Sequence, residues 1–87
     1  MDTLEYPIGS LFIEYQQEYM YQDDLHWGPV QELPWDGPAD ADPDVVWSSL
    51  NERADGDRWR ATVHVITGDD SSRPWLRCTS EGWSLHT

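Results

Sequence analysis

The chain contains no lysine, and its five basic side chains are all arginines lying between Arg53 and Arg77. Against them stand 17 carboxylates, for a formal net charge of −12. Affinity for phosphates needs clustered Lys and Arg, so this shortage argues against direct binding of nucleic acid. It argues equally against an anionic membrane surface. Cysteine is almost as scarce. Cys78 stands alone, so no internal disulfide can form, and the chain reads as a cytoplasmic protein of a reducing compartment. No segment approaches the roughly 20 apolar residues of a membrane span. The opening Met-Asp-Thr-Leu-Glu lacks the positive flank and apolar run of a secretory signal. The six glycines are scattered and do not gather into a phosphate-cradling loop.

Aromatic residues are plentiful: six Trp, four Tyr and one Phe in 87 residues. A chain of this size forms one domain and buries about 60% of the surface its unfolded form exposes, so large rings must fill much of a small core. The acid is unevenly spread. Residues 1–52 hold 12 carboxylates and no Lys or Arg, whereas residues 53–87 hold five carboxylates and all five arginines. A genome that avoids lysine, or adaptation to high salt, would spread acid along the whole chain. The asymmetry favours a directional acidic surface.

Pro7 and Gly9 suggest a turn. Leu11, Ile13, Tyr15, Tyr19 and Tyr21 then fall at period two, with Gln17 interrupting, which predicts one long strand or a tight hairpin. The same residues partly fit a helical spacing, but aromatic and β-branched residues favour strand. Residues 22–44, punctuated by Gly28-Pro29, Pro34, Gly37-Pro38 and Pro43, read mostly as a long acidic loop, with a short strand near Val30 to Leu33 as its one interruption. A helix follows. Asp42 suits its N-cap, Pro43 its first position and Asp44 its positive end, with Val46, Trp47, Leu50 and Ala54 as an apolar stripe and Gly56 as a stop. Trp59, Ala61, Val63 and Val65 alternate with Arg58, Arg60, Thr62 and His64, the pattern of a half-buried strand. Strands over Trp75 to Thr79 and Trp83 to His86 complete an antiparallel meander. The predicted fold is α+β, a sheet of four or five strands with one short helix; a small all-β barrel is the alternative.

The motifs of catalysis and metal binding are weak. Asp40-Ala41-Asp42-Pro43-Asp44 begins like a calcium loop, then offers Val45 where glycine is needed and Asn51 where glutamate is needed. His26, His64, His86 and Cys78 lack zinc-ligand spacing. Cys78 with His64 has no recognisable orienting group, and a single cysteine among apolar residues reads as a buried small hydrophobe. Asp23-Asp24 and Asp69-Asp70 read as solvated turn residues. No metal, cofactor or enzymatic activity is expected.

The acidic, aromatic stretch remains. In extended backbone Asp40, Asp42 and Asp44 would project to one side about 6–7 Å apart, like the charges of a nucleic-acid backbone. Asp23, Asp24, Trp27, Glu32, Trp35, Asp36, Asp40, Asp42 and Asp44 are the candidate partner-binding residues, with the two tryptophans as anchors. A solvated face with core aromatics is the bland alternative. In size and charge the chain resembles phage-encoded counter-defence proteins, a likeness of class and composition. The expected function is an acidic protein-binding inhibitor. Its partner would be a basic, nucleic-acid-binding protein such as a nuclease or a restriction or CRISPR effector, blocked in its basic groove. An immunity-type or regulatory protein with one specific basic partner is the alternative.

Overall fold

The computed structural model describes residues 8–38, 40–68 and 70–86. Six strands and one helix follow one another as β1 (Leu11–Tyr21), β2 (Asp24–Trp27), β3 (Gln31–Pro34), α1 (Pro43–Ala54), β4 (Trp59–Gly68), β5 (Ser71–Thr79) and β6 (Gly82–Leu85). The strands form one open antiparallel sheet in the order β2-β1-β4-β5-β6, with β3 also paired to β1. The fold is therefore α+β, with six strands rather than four or five, and the sheet does not close into a barrel.

The loop expected over residues 22–44 is interrupted by two strands: the short one expected near Val30 to Leu33 is present as β3, and a further one, β2, precedes it. Gln22 and Asp23, with φ of 52° and 67°, make a two-residue turn that folds the chain back on β1. This is the positive-φ pair that matches the twist of a tight hairpin. The returning segment pairs as β2, through Glu18↔Trp27 to Tyr21↔Asp24, then again as β3, through Phe12↔Pro34 to Tyr15↔Gln31. Between these blocks Gly28, Pro29 and Val30 oppose only Gln16 and Gln17, so the segment is one interrupted strand carrying a bulge. Gly28 sits where the backbones meet: its N–H donates to the Gln17 carbonyl at 2.9 Å, and a Cβ there would lie 3.1 Å from that oxygen. Only residues 35–42 remain as connection to the helix.

Alternation along the strands gives the sheet two unlike faces. One carries Leu11, Ile13, Tyr15, Trp59, Ala61, Val63, Leu76 and Cys78, all buried, and α1 covers it with Val46, Leu50 and Ala54. The expected stripe is correct, with Trp47 half-buried beside it. The expected N-cap is also correct: the Asp42 carboxylate accepts from the Asp44 N–H at 2.9 Å and Pro43 begins the helix. The helix ends at Ala54, with Asp55 left-handed at φ 53° as its C-cap and the expected glycine, Gly56, following at φ 93°. The opposite face has no helix over it among the described residues. No described helix is long and apolar enough to cross a membrane.

Trp59 is 1% exposed, stacks on Tyr15, packs tilted against Trp47, and donates its indole N–H to Asn51 at 3.0 Å. Trp59→Ala is expected to cost about 3–5 kcal/mol, read as a lowered urea midpoint; an unchanged midpoint would mean that the ring contributes nothing to the core. Asp23→Gly should have the opposite sign, because glycine relieves a left-handed position, with a gain of about 1 kcal/mol in the same unfolding measurement.

Candidate functional site

The candidate partner-binding residues divide among three regions. Asp23 and Asp24 lie at the tip of the β1–β2 hairpin. Trp27 and Glu32 lie on the face of the sheet away from the helix, by register with Glu18 and Glu14. Trp35, Asp36, Asp40, Asp42 and Asp44 belong to the connection and first turn of α1. The ruler-like row expected of Asp40, Asp42 and Asp44 does not form. Asp42 is extended, but Asp44 is already helical, so the two-residue spacing ends at the cap. Asp44 also accepts the Trp83 indole N–H at 2.6 Å, which fastens the helix start to β6.

The two tryptophans differ in their surroundings. Trp35 is half-buried against the core, and its indole N–H donates to the Pro38 carbonyl at 2.9 Å, closing its own loop. Trp27 is half-buried under the Arg60 guanidinium, whose carbon stands 4.1 Å from the ring centroid. Near Trp35, a groove of about 450 Å³ between β3 and α1 is lined by Ile13, Leu33 and Leu50, with Asp36, Glu52 and Arg53 at its polar part.

The ionic contacts are segregated. Among the described residues Arg58 forms an ion pair with Glu18 at 3.6 Å, and His64 is hydrogen-bonded to Glu14 at 2.8 Å. Both involve carboxylates of β1 that alternate away from the helix. His64 also stacks on Phe12, with ring centroids 4.7 Å apart, so it is half-buried rather than the exposed strand residue its pattern predicts. On the helix side, residues 36–57 hold seven carboxylates and one arginine. Asp42 is spent on the cap, Asp44 on Trp83 and Asp57 on Gln17 at 2.7 Å. Asp36, Asp40, Glu52 and Asp55 are exposed, with no hydrogen bond from another side chain among the described residues.

The structure adds a feature that the sequence pattern concealed. β4 pairs with β1 only as far as Gln17↔Trp59, so Tyr19, Met20 and Tyr21 run past the end of β4 with β2 as their one strand neighbour among the described residues. The hairpin is an arm, and the molecule is elongated at 43 × 31 × 23 Å. Its radius of gyration of 13.7 Å exceeds the ~12 Å of a compact chain this long. Large apolar side chains on the arm are exposed: Tyr19 by 48%, Met20 by 63%, Tyr21 by 57% and Leu25 by 56%. Tyr19 and Tyr21 flank His26, with ring centroids at 5.7 and 6.0 Å, while Met20 pairs with Leu25 on the other side. Tyr and Met are enriched at protein interfaces, and contiguous exposed apolar surface marks interaction sites. The available signal was Met20 between two tyrosines, an arm apolar on both parities.

Cys78 belongs to the helix-covered face and His64 to the other, so they do not meet across the strands. No group of three or more His, Cys, Asp or Glu that could hold a metal occurs among the described residues. No family model matches the chain, and no curated protein and no solved structure matches it.

Burial pushes the Cys78 thiol up from its ordinary value of 9.0 to about 11, and burial also raises the Tyr15 phenol, with the nearby Arg53 opposing that rise. Both groups have folded-state values above their unfolded ones. Their contribution to stability is therefore complete at neutral pH and is lost as pH climbs through the interval from 9.0 to about 11 for Cys78. Stability should be flat from pH 7 to the ordinary thiol value and fall above it, and Cys78→Ala should reduce that fall. Alkylation of the native thiol by iodoacetamide should be slow at neutral pH and fast in denaturant. Equal rates in the two conditions would show that Cys78 is accessible and reactive.

Proposed function

We propose that this protein acts by binding a basic protein partner, and that its most concrete role is to occlude a groove built for phosphates. The observation carrying this reading is the imbalance around α1, where residues 36–57 hold seven carboxylates against one arginine. Four of these carboxylates are exposed and free of side-chain hydrogen bonds among the described residues: Asp36, Asp40, Glu52 and Asp55. Unneutralised charge of this density repels itself, and a basic surface relieves that repulsion. Long-range attraction then speeds encounter, and salt slows it. The partner class that fits best is a nucleic-acid-binding protein, such as a nuclease or a restriction or CRISPR effector. An immunity-type partnership with one specific basic protein is the second reading, and the arm favours it. Tyr19, Met20, Tyr21 and Leu25 offer short-range apolar contact that salt does not weaken.

The test is retention of partners from host lysate at low and high salt, followed by titration with the purified partner. Under the occlusion reading, duplex DNA or RNA displaces the retained protein. The combined substitutions Asp36→Asn, Asp40→Asn, Glu52→Gln and Asp55→Asn then weaken binding by about tenfold or more at low salt and flatten its salt dependence. Under the immunity reading, nucleic acid does not compete, and Tyr21→Ser with Met20→Ser raises the off-rate by about tenfold or more. A partner bound equally by both variants would overturn both assignments of the surface.

A further inference from the structure

The face of the sheet away from α1 holds a feature that the acidic surface does not explain. Arg60 and Arg77 lie on neighbouring strands there, in register with Thr79 and Thr62 respectively, so the two arginines and two threonines alternate as a diagonal four. They line a hollow of about 380 Å³ together with Glu14, Gln16 and Val30. That volume is within the usual range of small-molecule sites.

The arginine nearest Trp27 is held in advance. Gln16 donates to the Gly28 carbonyl at 2.9 Å and accepts from the Arg60 Nε–H at 3.0 Å. The guanidinium carbon lies 4.1 Å over the Trp27 ring centroid, and the terminal nitrogens make no hydrogen bond among the described residues. The Arg77 side chain has no hydrogen bond, ion pair or ring contact with any described residue. In a chain with 17 carboxylates, two arginines line one hollow with no carboxylate bound to either among the described residues. The one carboxylate lining the hollow, Glu14, is occupied by His64 at 2.8 Å. A guanidinium fork matches carboxylate and phosphate oxygens in a bidentate way, and a stacked, pre-oriented fork loses less freedom on binding.

We propose that this hollow binds a small molecule bearing an oxyanion, a carboxylate or a phosphate, gripped by Arg60 and Arg77 with the Thr62 and Thr79 hydroxyls as further donors. The bulge at Gly28 is what makes the site, because it turns Trp27 to the open face under Arg60. The site is independent of the acidic surface and of any protein partner. Its local positive charge gives the molecule two poles, so a charged small molecule can bind without displacing a basic protein from the helix side.

The test is a nuclear magnetic resonance titration of the full chain with inorganic phosphate and, separately, with malonate at fixed ionic strength. Saturable shifts of the Thr62, Arg77 and Thr79 amides with either probe are expected. Saturation with phosphate alone assigns a phosphate-bearing ligand, and saturation with malonate alone a carboxylate. Arg77→Ala should weaken binding by about tenfold or more, as removal of a charge-assisted fork implies. Arg60→Lys, which keeps charge but loses the planar fork, should weaken it as well. Arg73→Ala removes the same charge from β5 outside the hollow and should leave binding nearly unchanged. Linear, non-saturating shifts with both probes, or equal losses in Arg73→Ala and Arg77→Ala, would overturn the assignment.

Discussion

A helix of 12 residues has to cover one face of a six-stranded sheet, and it is tied there by side-chain hydrogen bonds from aromatic residues and one glutamine. Indole N–H groups make three of the ties. Trp83 donates to Asp44 in the first turn, Trp59 to Asn51 near the end, and Trp47 from the helix to the Thr79 carbonyl at 2.8 Å. Gln17 makes the fourth, reaching the Ala54 carbonyl at 3.2 Å and so satisfying part of the helix C-terminus. Tryptophan suits this task because one side chain contributes large apolar area and a donor at its edge. A core this small cannot supply much adhesion from aliphatic side chains alone, so the abundance of tryptophan is a consequence of size. Trp35 serves the same demand, half-buried against the core with its indole N–H closing its own loop.

The sheet is organised by β1, which pairs along one edge with β4 and along the other with β3 and then β2. Two bulges adjust which side chains reach the helix. At Gly28 to Val30 the extra residue puts Trp27 and Leu33 on opposite faces, although both are odd-numbered positions of one strand-like segment. In β5, the step from Val63↔Leu76 to His64↔Pro74 leaves Trp75 as the extra residue, so Leu76 faces the helix while Pro74 accompanies His64. Each bulge lets a segment supply both a core residue and a residue for the other face.

These bulges also mark where the amino-acid pattern stops being readable. β4 has unbroken alternation from Trp59 to Val65, and α1 has cap, proline and stripe in order, so both elements are evident in the chain itself. Local rules decide such segments. The return along β1 is decided by partners distant in sequence, and its period is broken by Gly28-Pro29, which looks like loop chemistry when no partner is in view. Part of the candidate surface follows the same division. Acid around the helix start is a property of composition, whereas the arm exists only because β4 stops at Trp59 while β1 continues. Asp42 and Asp44 carry tasks that composition does not reveal: their carboxylates read as interface charge, and within the fold one caps the helix and the other receives Trp83.

Charge and shape together give the molecule three surfaces with different physics. The helix side is negative and acts at the range of the Debye length, ~8 Å at physiological ionic strength. The arm acts only at contact, through rings and thioether. The open face concentrates Arg60 and Arg77 near two threonines, in a chain whose net charge would otherwise repel every anion. Attraction at a distance sets how often a partner arrives, and apolar contact sets how long it stays. A protein built only for solvation has no need of the second property, and exposed Tyr19, Met20, Tyr21 and Leu25 beside Asp23 and Asp24 supply it at one end of an elongated body. Under the proposed role, that juxtaposition would join steering charge to contact anchors at one end of the body.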